Sequence, residues 1–468
     1  MQITENLINE SFDVLVAGGG VTGIAAALAA ARQGARTILI EPRPFIGGNA
    51  ATGLCIHTYF TRLGKQVVFG IAQEIIDRLI GLGGAVGHVP MPEGYVFAVT
   101  PVDADLFRME TTAMLAEAGV TILYNTAIVG ADSVAGEVQR VKVCSKNRLG
   151  YLNAKMFVDA TGDADLAVMA GAECREGWSG TGAMQPVSMM LRAVSVDTNR
   201  ACEALSEHPP AFAIKKGIEK SIPIYFHGSF TRWNKILRDM GIYDHDNHQF
   251  WTNTVWPDQL NINASRMANI NGNDPVALSR ATVELTRQLQ KLGQFLRQNI
   301  PGFENASFIP NAFVGVRETR NIKGEYELNE DDIRAGRKFE DSVGQACFPV
   351  DIHHPDGKSQ QHIDIGGDGA YDLPYRALLP KGFKNLLAAG RCVSATPYAH
   401  GATRNMAPCM TTGEAAGIAA ALSAGANTTC PELPIQVLQS RLREAGVYLG
   451  DGISIASKTS SVSGQVSQ

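Results

Sequence analysis

The first forty residues alternate between apolar runs and small residues in a way that predicts a β-α-β unit. Residues 12–17 form a short apolar run rich in valine and leucine, which is typical of a buried strand. A glycine-rich turn follows, and then an alanine-rich stretch that ends near Gly34 and predicts a helix. A second apolar run covers residues 35–40 and is followed directly by Glu41. This order of elements indicates one parallel crossover unit.

The turn in this unit has the composition of a dinucleotide-binding loop. Residues 18–23 read GGGVTG and so satisfy the spacing G-x-G-x-x-G. Gly18 would allow a tight turn, Gly20 would let a diphosphate touch the backbone, and Gly23 would let the helix pack on the strand. Glu41 stands where a carboxylate could accept hydrogen bonds from an adenosine ribose. A plain crossover with a glycine-rich turn is the alternative.

Further periodic segments extend this unit into a doubly wound α/β domain with a small antiparallel extension. The predicted helices cover residues 66–90 and 103–119, and the predicted strands cover residues 120–124, 138–144 and 154–159. The last of these strands ends in a small-residue turn at residues 159–163, where an open sheet places ligand contacts. The same turn is also an ordinary way to end a strand.

A change of composition between residues 173 and 341 predicts a second domain. All four tryptophans lie in this region, with a strand pattern at residues 187–196 and a helical pattern at 276–297. We therefore expect a nucleotide-binding domain in two parts, residues 1–172 and 342–430, with a cap domain inserted at 173–341. Residues 431–468 are expected to form a C-terminal helix and, from Ser454, a mobile tail.

The sequence after the predicted cap returns to the pattern of a strand followed by a helix. An apolar run at residues 385–391 predicts a strand, and an Ala/Gly-rich stretch at 409–424 predicts a helix with Pro408 in its first turn. A second helix N-terminus would then face a glycine-rich turn. The two halves of one site would therefore come from opposite ends of the chain.

Composition excludes several classes of function. The chain has 468 residues, a net charge of −5 and no basic block, which argues against nucleic acid or an anionic membrane as a partner. It lacks a signal-peptide pattern at the N-terminus and any apolar run of roughly 18 residues, so a soluble cytoplasmic protein is expected. The eight cysteines include no C-x-x-C pair, and His353, His354 and His362 complete no ligand spacing, so no metal site is expected.

Polar residues at period two in an apolar segment are candidates for contact with a ligand. Cys55, His57 and Tyr59 would lie on one face of a strand. That face either contacts a ligand or is solvated, and the pattern does not decide between the two.

A pair of arginines in the predicted cap offers a site for an anion. Arg317 and Arg320 stand beside Glu318 and could hold a carboxylate by charge-assisted hydrogen bonds. They could equally form an internal ion-pair network that joins the cap to the base.

Several of these segments together resemble a known class of flavoproteins. Residues 18–23 with Glu41, 46–53, 159–163 and 388–391 resemble the FAD-binding segments of proteins with the glutathione-reductase-type FAD fold. More narrowly, residues 317–320, 372–376 and 400–417 are similar to the bacterial family of FAD-dependent oxidoreductases, distant relatives of fumarate reductase and succinate dehydrogenase flavoproteins. The likeness covers nearly the whole chain. It implies a Rossmann-like FAD-binding domain with an inserted α+β cap that carries the substrate site.

The resemblance also implies FAD as the cofactor and assigns residues to it. The FAD-binding residues that it implies are Gly18, Gly20, Val21, Thr22, Gly23, Glu41, Pro42, Arg43, Gly47, Gly48, Asn49, Thr52, Gly53, Ala160, Thr161, Gly162, Asp163, Gly390, Arg391, Met406 and Pro408. Residues 47–49 would lie beside the diphosphate and ribityl chain, and residues 161–163 near the adenosine. The helix that begins near Pro408 would point its N-terminus at the pyrimidine edge of the flavin. Arg391 stands where many relatives carry an acidic residue.

The implied activity is hydride transfer between a small organic substrate and flavin N5. Residues 400–404 resemble the His-Gly-Ala-Asn-Arg of fumarate reductases, whose arginine binds a substrate carboxylate, with Thr403 in place of Asn. Arg404, Arg317 and Arg320 are therefore the anion-binding candidates. His400 is the first candidate for proton transfer, and His57 and Tyr59 are the others.

The identity of the electron partner stays open at this stage. The sequence contains no second dinucleotide fingerprint and hence no built-in NAD(P)H domain, so a quinone, oxygen or another protein would re-oxidise the flavin. A flavin oxidase or monooxygenase that uses oxygen is one alternative, and a non-catalytic binding protein on the same fold is another. The oligomeric state is also left open.

Overall fold

The computed structural model describes residues 11–146, 148–178, 180–217, 221–357 and 359–450. The predicted tail from Ser454 and the N-terminal segment examined for a leader lie outside the described residues. The strands are Ser11–Ala17 (β1), Thr37–Ile40 (β2), Val89–Pro90 (β3), Ala98–Val99 (β4), Thr121–Leu123 (β5), Thr126–Val134 (β6), Glu137–Ser145 (β7), Arg148–Asp159 (β8), Cys174–Glu176 (β9), Leu191–Val194 (β10), Ala211–Ala213 (β11), Ile222–Ser229 (β12), Gln249–Asn253 (β13), Gln259–Asn263 (β14), Ser307–Pro310 (β15), Arg320–Ile322 (β16), Ser342–Ala346 (β17), Val350–His353 (β18), Gln360–Ile363 (β19), Tyr371–Pro374 (β20) and Leu386–Ala388 (β21). The helices are Val21–Arg32 (α1), Ile71–Gly81 (α2), Ala104–Glu117 (α3), Asp165–Met169 (α4), Thr198–Leu205 (α5), Asn234–Asp239 (α6), Pro275–Asn299 (α7), Glu330–Ala335 (α8), Pro397–Thr403 (α9), Met406–Ala426 (α10) and Ile435–Glu444 (α11).

The main sheet confirms the predicted α/β class. Its strand order is β5-β2-β1-β8-β7-β6, with β21 paired to β8 as well. The strands β5, β2, β1, β8 and β21 run parallel, whereas β8, β7 and β6 are antiparallel. The long strand β8 makes both arrangements possible, because its first half pairs with β7 and its last three residues pair with β21. A strand from the end of the chain thus joins the sheet that the first residues begin.

Helices α1 and α10 bring the two ends of the chain together by packing backbone against backbone. A Cβ atom added at Gly413 would lie 2.3 Å from the carbonyl oxygen of Thr22, and one at Gly417 would lie 2.1 Å from that of Ala26. Only glycine permits helices to approach so closely. Both helices are buried along most of their length and share one apolar core with β1 and β8.

A second sheet is antiparallel throughout and has two chemically different faces. Its order is β11-β12-β13-β14-β10-β15. One face carries apolar residues such as Phe250 and Ile262, which pack on α5, α6 and α7 in a core of their own. Side chains alternate along a strand, so the opposite face carries Asn253, Asn261 and Asn263. This polar face is turned toward the main sheet's ligand loops, since Asn261 contacts Gly53.

The predicted elements with strong end signals match the structure closely. Helix α3 begins at Asp103, whose carboxylate accepts hydrogen bonds from the backbone N–H groups of Asp105 and Leu106. Helix α7 begins at Asp274 with Pro275 in its first position. The domain boundaries at residues 172, 341 and 430 stay predictions.

The structure differs from the sequence analysis in three segments. Helix α2 is shorter than the predicted 66–90, because Gly83 takes up a left-handed conformation just after its end. Strand β6 was not predicted. Residues 55–59 form no strand and make only isolated bridges at Ile56 and, nearby, at Phe60, so the strand face predicted for Cys55, His57 and Tyr59 does not form. Within the described ranges, no helix is both long enough and apolar enough to cross a bilayer.

Candidate active site

Two adjoining hollows lie between the main sheet and the polar face of the second sheet. The first, which we call the cleft, runs along the ends of β1, β2 and β8. We call the second the inner cavity. They adjoin each other, because both are lined by Asn49, Val316, Arg391, Arg404 and Met406. A ligand in the cleft would therefore be in reach of a ligand in the inner cavity.

Two helix N-termini open onto the cleft, one from each end of the chain. Gly20 and Val21 line it at the start of α1, and Met406 and Cys409 line it at the start of α10. No side chain caps either helix start, although Asn405 occupies the N-cap position of α10. The backbone N–H groups and the positive ends of two helix dipoles thus remain available to an anionic ligand.

Three glycines of the first turn differ in their surroundings. Gly18 has φ +96°, a left-handed conformation that suits glycine. A Cβ atom on Gly23 would lie 1.8 Å from the carbonyl oxygen of Gly18, so this glycine lets helix and strand pack. A Cβ atom on Gly20 would meet no protein atom within 4 Å, and it would project into open space beside the cleft. No neighbouring protein atom therefore requires residue 20 to be a glycine.

Glu41 is held at the end of β2 with its carboxylate oriented by the backbone. Its Oε2 accepts a hydrogen bond from the N–H of Gly19 at 2.7 Å, and its Oε1 accepts one from the N–H of Arg43 at 2.9 Å. Burial raises the pKa of the Glu41 carboxyl. Because Glu41 also lines the cleft, it stands where the sequence pattern places a ribose acceptor.

Most residues that the resemblance assigned to FAD line the cleft. They are Gly18, Gly20, Val21, Thr22, Glu41, Pro42, Arg43, Gly48, Asn49, Ala160, Thr161, Gly162, Asp163, Arg391 and Met406. The cleft is not lined by Gly23, Gly47, Thr52, Gly53, Gly390 or Pro408. Thr52 lines the inner cavity instead. Gly390 packs on Thr22, since a Cβ atom there would lie 2.2 Å from the Thr22 hydroxyl.

An ion-pair network joins the β8 turn to the segment at residues 317–322, and it includes Arg320. The Asp163 carboxylate accepts hydrogen bonds from Arg391 and from the Thr319 hydroxyl, both at 2.7 Å. Arg320 donates to the Asp163 carbonyl oxygen at 2.7 Å and pairs with Asp165. Arg320 lines neither hollow, and its pairing with Asp165 favours the alternative interpretation, an internal ion-pair network.

Buried donors without partners surround the junction of the two hollows. Arg391 Nη1, Arg404 Nε and Asn405 Nδ2 are buried and have no hydrogen-bond acceptor. A buried donor left unsatisfied costs about 1–3 kcal/mol, so such a group calls for an acceptor that the chain itself does not supply. With the open space beside Gly20 and two uncapped helix starts, these donors fit a bound flavin dinucleotide.

Two arginines give the inner cavity a positive wall. Arg404 donates to the carbonyl oxygen of Asp351 at 3.0 Å and to its carboxylate at 3.2 Å. Arg317 donates to the carbonyl oxygen of Pro186 at 2.6 Å. Burial and the nearby charges of Arg404 and Arg266 lower the pKa of Arg317 to about 9. An anion in the cavity would relieve this crowding of like charges.

One carboxylate in the cavity wall is shared by several cationic or polar groups. Asp351 lies 3.4 Å from His353 Nε2 and 3.7 Å from His362 Nδ1. Burial acts to raise the pKa of Asp351, but His353, Arg404 and His362 hold it well below its usual range. Asp351 is therefore an anion, and it anchors Arg404. Across the described ranges, no group of three or more His, Cys, Asp or Glu is arranged to hold a metal ion.

His57 is the candidate proton carrier that reaches the inner cavity. Its ring lies edge-on to Tyr225, with 5.8 Å between ring centroids, and its Nε2 is buried without a partner. Burial lowers the pKa of His57 to about 4, against which the charge of Asp351 acts only weakly. The imidazole is therefore neutral at pH 7 and can accept a proton.

The other two candidates for proton transfer point elsewhere. His400 is completely buried in α9, lines neither hollow, and has no hydrogen-bond partner on either ring nitrogen. Burial, together with Arg404, Arg175 and Arg391, lowers its pKa well below the usual value. Tyr59 turns into the core, where its hydroxyl donates to the carbonyl oxygen of Ala72 at 3.1 Å. Of the three candidates, His57 alone lines the inner cavity.

Sequence reasoning missed much of the inner cavity. Asp351 was not singled out, and Asn253, Asn263 and Asn311 were not considered. Asparagine at alternate positions of β14 was the one available signal, because Asn261 and Asn263 share a face of that strand. The pairing that turns this face toward Arg404 is a tertiary property.

Comparison with known proteins gives matches of different extent. A family model described as "FAD dependent oxidoreductase" matches residues 13–442. Digeranylgeranylglycerophospholipid reductase of Thermoplasma acidophilum is 28% identical over 169 residues, which are 33% of this chain and 40% of that protein. Glycerol-3-phosphate dehydrogenase 2 of Mycobacterium tuberculosis is 32% identical over 97 residues, 20% of this chain and 17% of that protein. The chain thus spans well under half the length of these curated relatives.

Among solved structures, a geranylgeranyl bacteriochlorophyll reductase-like protein of Thermoplasma acidophilum is similar to the chain. The sequence identity is 15% and the TM-score is 0.48, over 93% of this chain and 84% of that one.

Proposed function

The chain belongs to the family of FAD-dependent oxidoreductases, and we propose that it transfers a hydride between bound FAD and a small carboxylate substrate held in the inner cavity. The cofactor of the family is FAD, and FAD supplies the two-electron chemistry. The observation that carries the proposal is that the cleft shares lining residues with a second cavity that has Arg317 and Arg404 in its wall.

The cleft residues would hold the cofactor by complementary charge and by close backbone approach. The start of α1 beside Gly20 would bind the diphosphate, and Glu41 would accept hydrogen bonds from the adenosine ribose. The start of α10 and the free Nη1 group of Arg391 would bind the electron-rich edge of the flavin. Glu41 and Arg391 Nη1 are buried, and Glu41 is held in place by two backbone hydrogen bonds.

The inner cavity would bind the carboxylate of the substrate. Arg317, Arg391 and Arg404 line it, and Asp351 is the carboxylate that faces them. Arg404 is fixed by Asp351 and keeps Nε unpaired, so it can donate to an anion without a change of rotamer. Binding would orient the reacting carbon toward the junction with the cleft, where proximity contributes most to rate.

His57 would accept or return the proton that accompanies the hydride. It is neutral, buried and open to the cavity through Nε2. The polar face of the second sheet would exclude water from this step.

A substrate screen under anaerobic conditions tests the proposal. Purified, FAD-loaded protein is mixed with small hydroxy and saturated carboxylic acids and with the corresponding primary amides, and the visible flavin bands are recorded. We expect bleaching with one or more acids and none with the amide of the same skeleton. Bleaching by amides and acids alike would rule out the carboxylate site while leaving the hydride transfer intact.

A further inference from the structure

The roof of the inner cavity is a row of amide and aromatic side chains on one face of the second sheet. Tyr225 of β12 pairs across the strands with Asn253 of β13, and Trp251 of β13 pairs with Asn263 of β14. Directly paired residues project to the same side of a sheet, so all four face the cavity, as its lining confirms. Asn311 continues the row, with its N–H bonded to the Met190 carbonyl oxygen at 2.9 Å.

Two amide atoms that line the cavity lack partners within the described protein. Asn253 is 3% exposed, and its Oδ1 accepts no hydrogen bond. The Nδ2 of Asn405 is buried and donates none. Asn311 donates through its Nδ2 to the Phe313 carbonyl oxygen at 3.3 Å. A buried amide group without a partner costs about 1–3 kcal/mol, and an unpaired acceptor with an unpaired donor in one cavity indicates a ligand that satisfies both.

The kind of ligand follows from what an amide offers. Each asparagine presents a donor and an acceptor side by side, and a hydroxyl group is both donor and acceptor. A carboxylate or a ketone only accepts, so it can pair with the NH2 group of an asparagine alone, whereas a hydroxyl group can pair with either end of the amide. A long apolar chain would satisfy none of the amides. Trp251 and Tyr225 add flat apolar surfaces between the amides, which suit the C–H faces of a carbon skeleton.

We propose that the substrate is a polyhydroxylated carboxylate, of the class of aldonic and uronic acids. Its hydroxyl groups bind the asparagines of the roof, and its carboxylate binds Arg404 and Arg317 on the opposite wall. This inference rests on the proposed function for the carboxylate and goes beyond it in the hydroxyl groups.

Binding measurements on the reduced enzyme test the inference without turnover. The FAD-loaded protein is reduced with dithionite under nitrogen, so that it cannot oxidise a ligand, and is titrated calorimetrically. Two matched pairs share carbon number and charge: D-gluconate with hexanoate, and D-glucuronate with tetrahydropyran-2-carboxylate. We expect a hydroxylated acid to bind at least about 10-fold more tightly than its unsubstituted partner, the equivalent of one or two hydrogen bonds.

Variants of the roof locate the effect. Asn253→Ala and Asn263→Ala should each weaken the hydroxylated acid by about 5- to 10-fold and leave the unsubstituted acid within about 2-fold. Asn299→Ala is the matched control, because Asn299 lies at the end of α7, lines neither hollow, and bonds only the Phe295 carbonyl oxygen. This control should leave both acids unchanged. A merely structural role of the roof would weaken both acids together.

The outcomes separate this inference from the proposed function. If the unsubstituted acid of each pair binds as tightly as the hydroxylated one, or if the roof variants weaken both equally, the hydroxyl class is excluded and the carboxylate site stands. If no acid of either kind binds at 10 mM while the protein remains yellow, the inference is excluded as well. If Asn253→Ala fails to fold, Asn253→Ser replaces it, and the comparison of hydroxylated with unsubstituted acids on the wild-type protein still tests the inference.

Discussion

Single residues in the cleft differ in whether they serve the fold or the ligand, and the glycines of the first turn separate the two roles. Gly23 is required by the backbone of Gly18, whereas Gly20 borders only open space. We expect Gly20→Ala to keep its melting temperature within a few degrees and to weaken FAD binding at least about 10-fold. Gly23→Ala should lower the melting temperature instead, because its Cβ atom would overlap the Gly18 carbonyl oxygen.

Thermal melts and the flavin absorbance of each purified variant measure this difference. Gly425→Ala is the control, since its Cβ atom on α10 would meet nothing within 4 Å. It should keep FAD and gain a little stability, as expected for Gly to Ala in a helix. A Gly20→Ala protein that binds FAD as tightly as wild type would contradict the cleft assignment.

A second residue-scale prediction concerns His57 and pH. A proton acceptor works in its neutral form, and the pKa of His57 is lowered to about 4. The rate of flavin reduction by substrate should therefore stay level from pH 8 down to about pH 5, without the decrease near pH 6.5 that an ordinary histidine would cause. Stopped-flow absorbance over this range measures it.

Replacement of the same histidine provides the comparison. His57→Gln should slow flavin reduction by roughly 100-fold or more while the flavin spectrum stays normal. Equal rates for both proteins would assign the proton to another group. Replacement of His400 offers no such contrast, because His400 lines neither the cleft nor the inner cavity.

The sequence predicts residues well where the backbone alone determines their role. The six residues of the glycine turn and Glu41 could be placed because strand, turn and helix follow one another directly. His57, Tyr59 and His400 could not be ranked, because burial and side-chain direction depend on neighbours far away in the chain. Arg320 and Arg317 are three positions apart, yet one pairs with Asp165 and the other lines the cavity.

At the scale of elements, the site depends on how α10 is attached to its neighbours. Besides its glycine contacts with α1, α10 carries Glu414, whose Oε2 accepts the N–H of Ile71 at the start of α2 at 2.9 Å. Burial raises the pKa of Glu414 to about 8, although the Ile71 bond and Arg32 oppose this. One buried carboxyl group thus joins the second helix N-terminus of the site to α2.

The pH dependence of stability follows from this shift. The folded-state pKa lies above the unfolded value of about 4.3, so the folded state binds more protons between these two values. The contribution of Glu414 is complete below about pH 4.3 and is lost as the pH rises through about 8. We expect Glu414→Gln to melt at an increasingly higher temperature than wild type between pH 5 and pH 9.

Melting temperatures of both proteins across this range provide the test. Glu203→Gln, at an exposed position on α5, controls for the loss of one negative charge. A difference between Glu414→Gln and wild type that stays constant with pH would show that the carboxyl group is ionised in the folded protein throughout.

Elements with clear end signals were predictable and irregular ones were not. Helices α3 and α7 have Asp at the N-cap, and α10 is rich in alanine and glycine, so their positions follow from local sequence. Residues 55–59 alternate as a strand would, but they pair with no neighbouring strand over their length. Pairing partners are chosen by the tertiary fold, so the alternation alone was misleading.

At the scale of the whole molecule, the chain forms one site from segments more than 380 residues apart. The start of α1 and the start of α10 line the same cleft, and the second sheet closes the adjoining cavity with its polar face. The convergence of the two helix starts was predictable, since each helix comes after a predicted strand of the same α/β domain. The row of asparagines was not, because its members come from β13, β14 and the residue that follows β15.

The molecule that re-oxidises the flavin is identified by kinetics of the whole enzyme. We expect the substrate-reduced protein to re-oxidise slowly in air and quickly with a quinone or another carrier. Stopped-flow mixing of reduced protein with air-saturated buffer gives the rate directly. Re-oxidation by oxygen that is faster than turnover would identify an oxidase or a monooxygenase.

The central claim is that FAD in the cleft exchanges a hydride with a carboxylate held by Arg404, and an anaerobic titration of the flavin spectrum tests it most directly. Wild type, Arg404→Ala and the surface control Arg376→Ala are each titrated with an acid that bleaches the wild type. We expect all three to be yellow, and Arg404→Ala to need roughly 10- to 100-fold more acid than the other two. A colourless protein that refuses FAD, or equal bleaching of all three proteins, would contradict the claim.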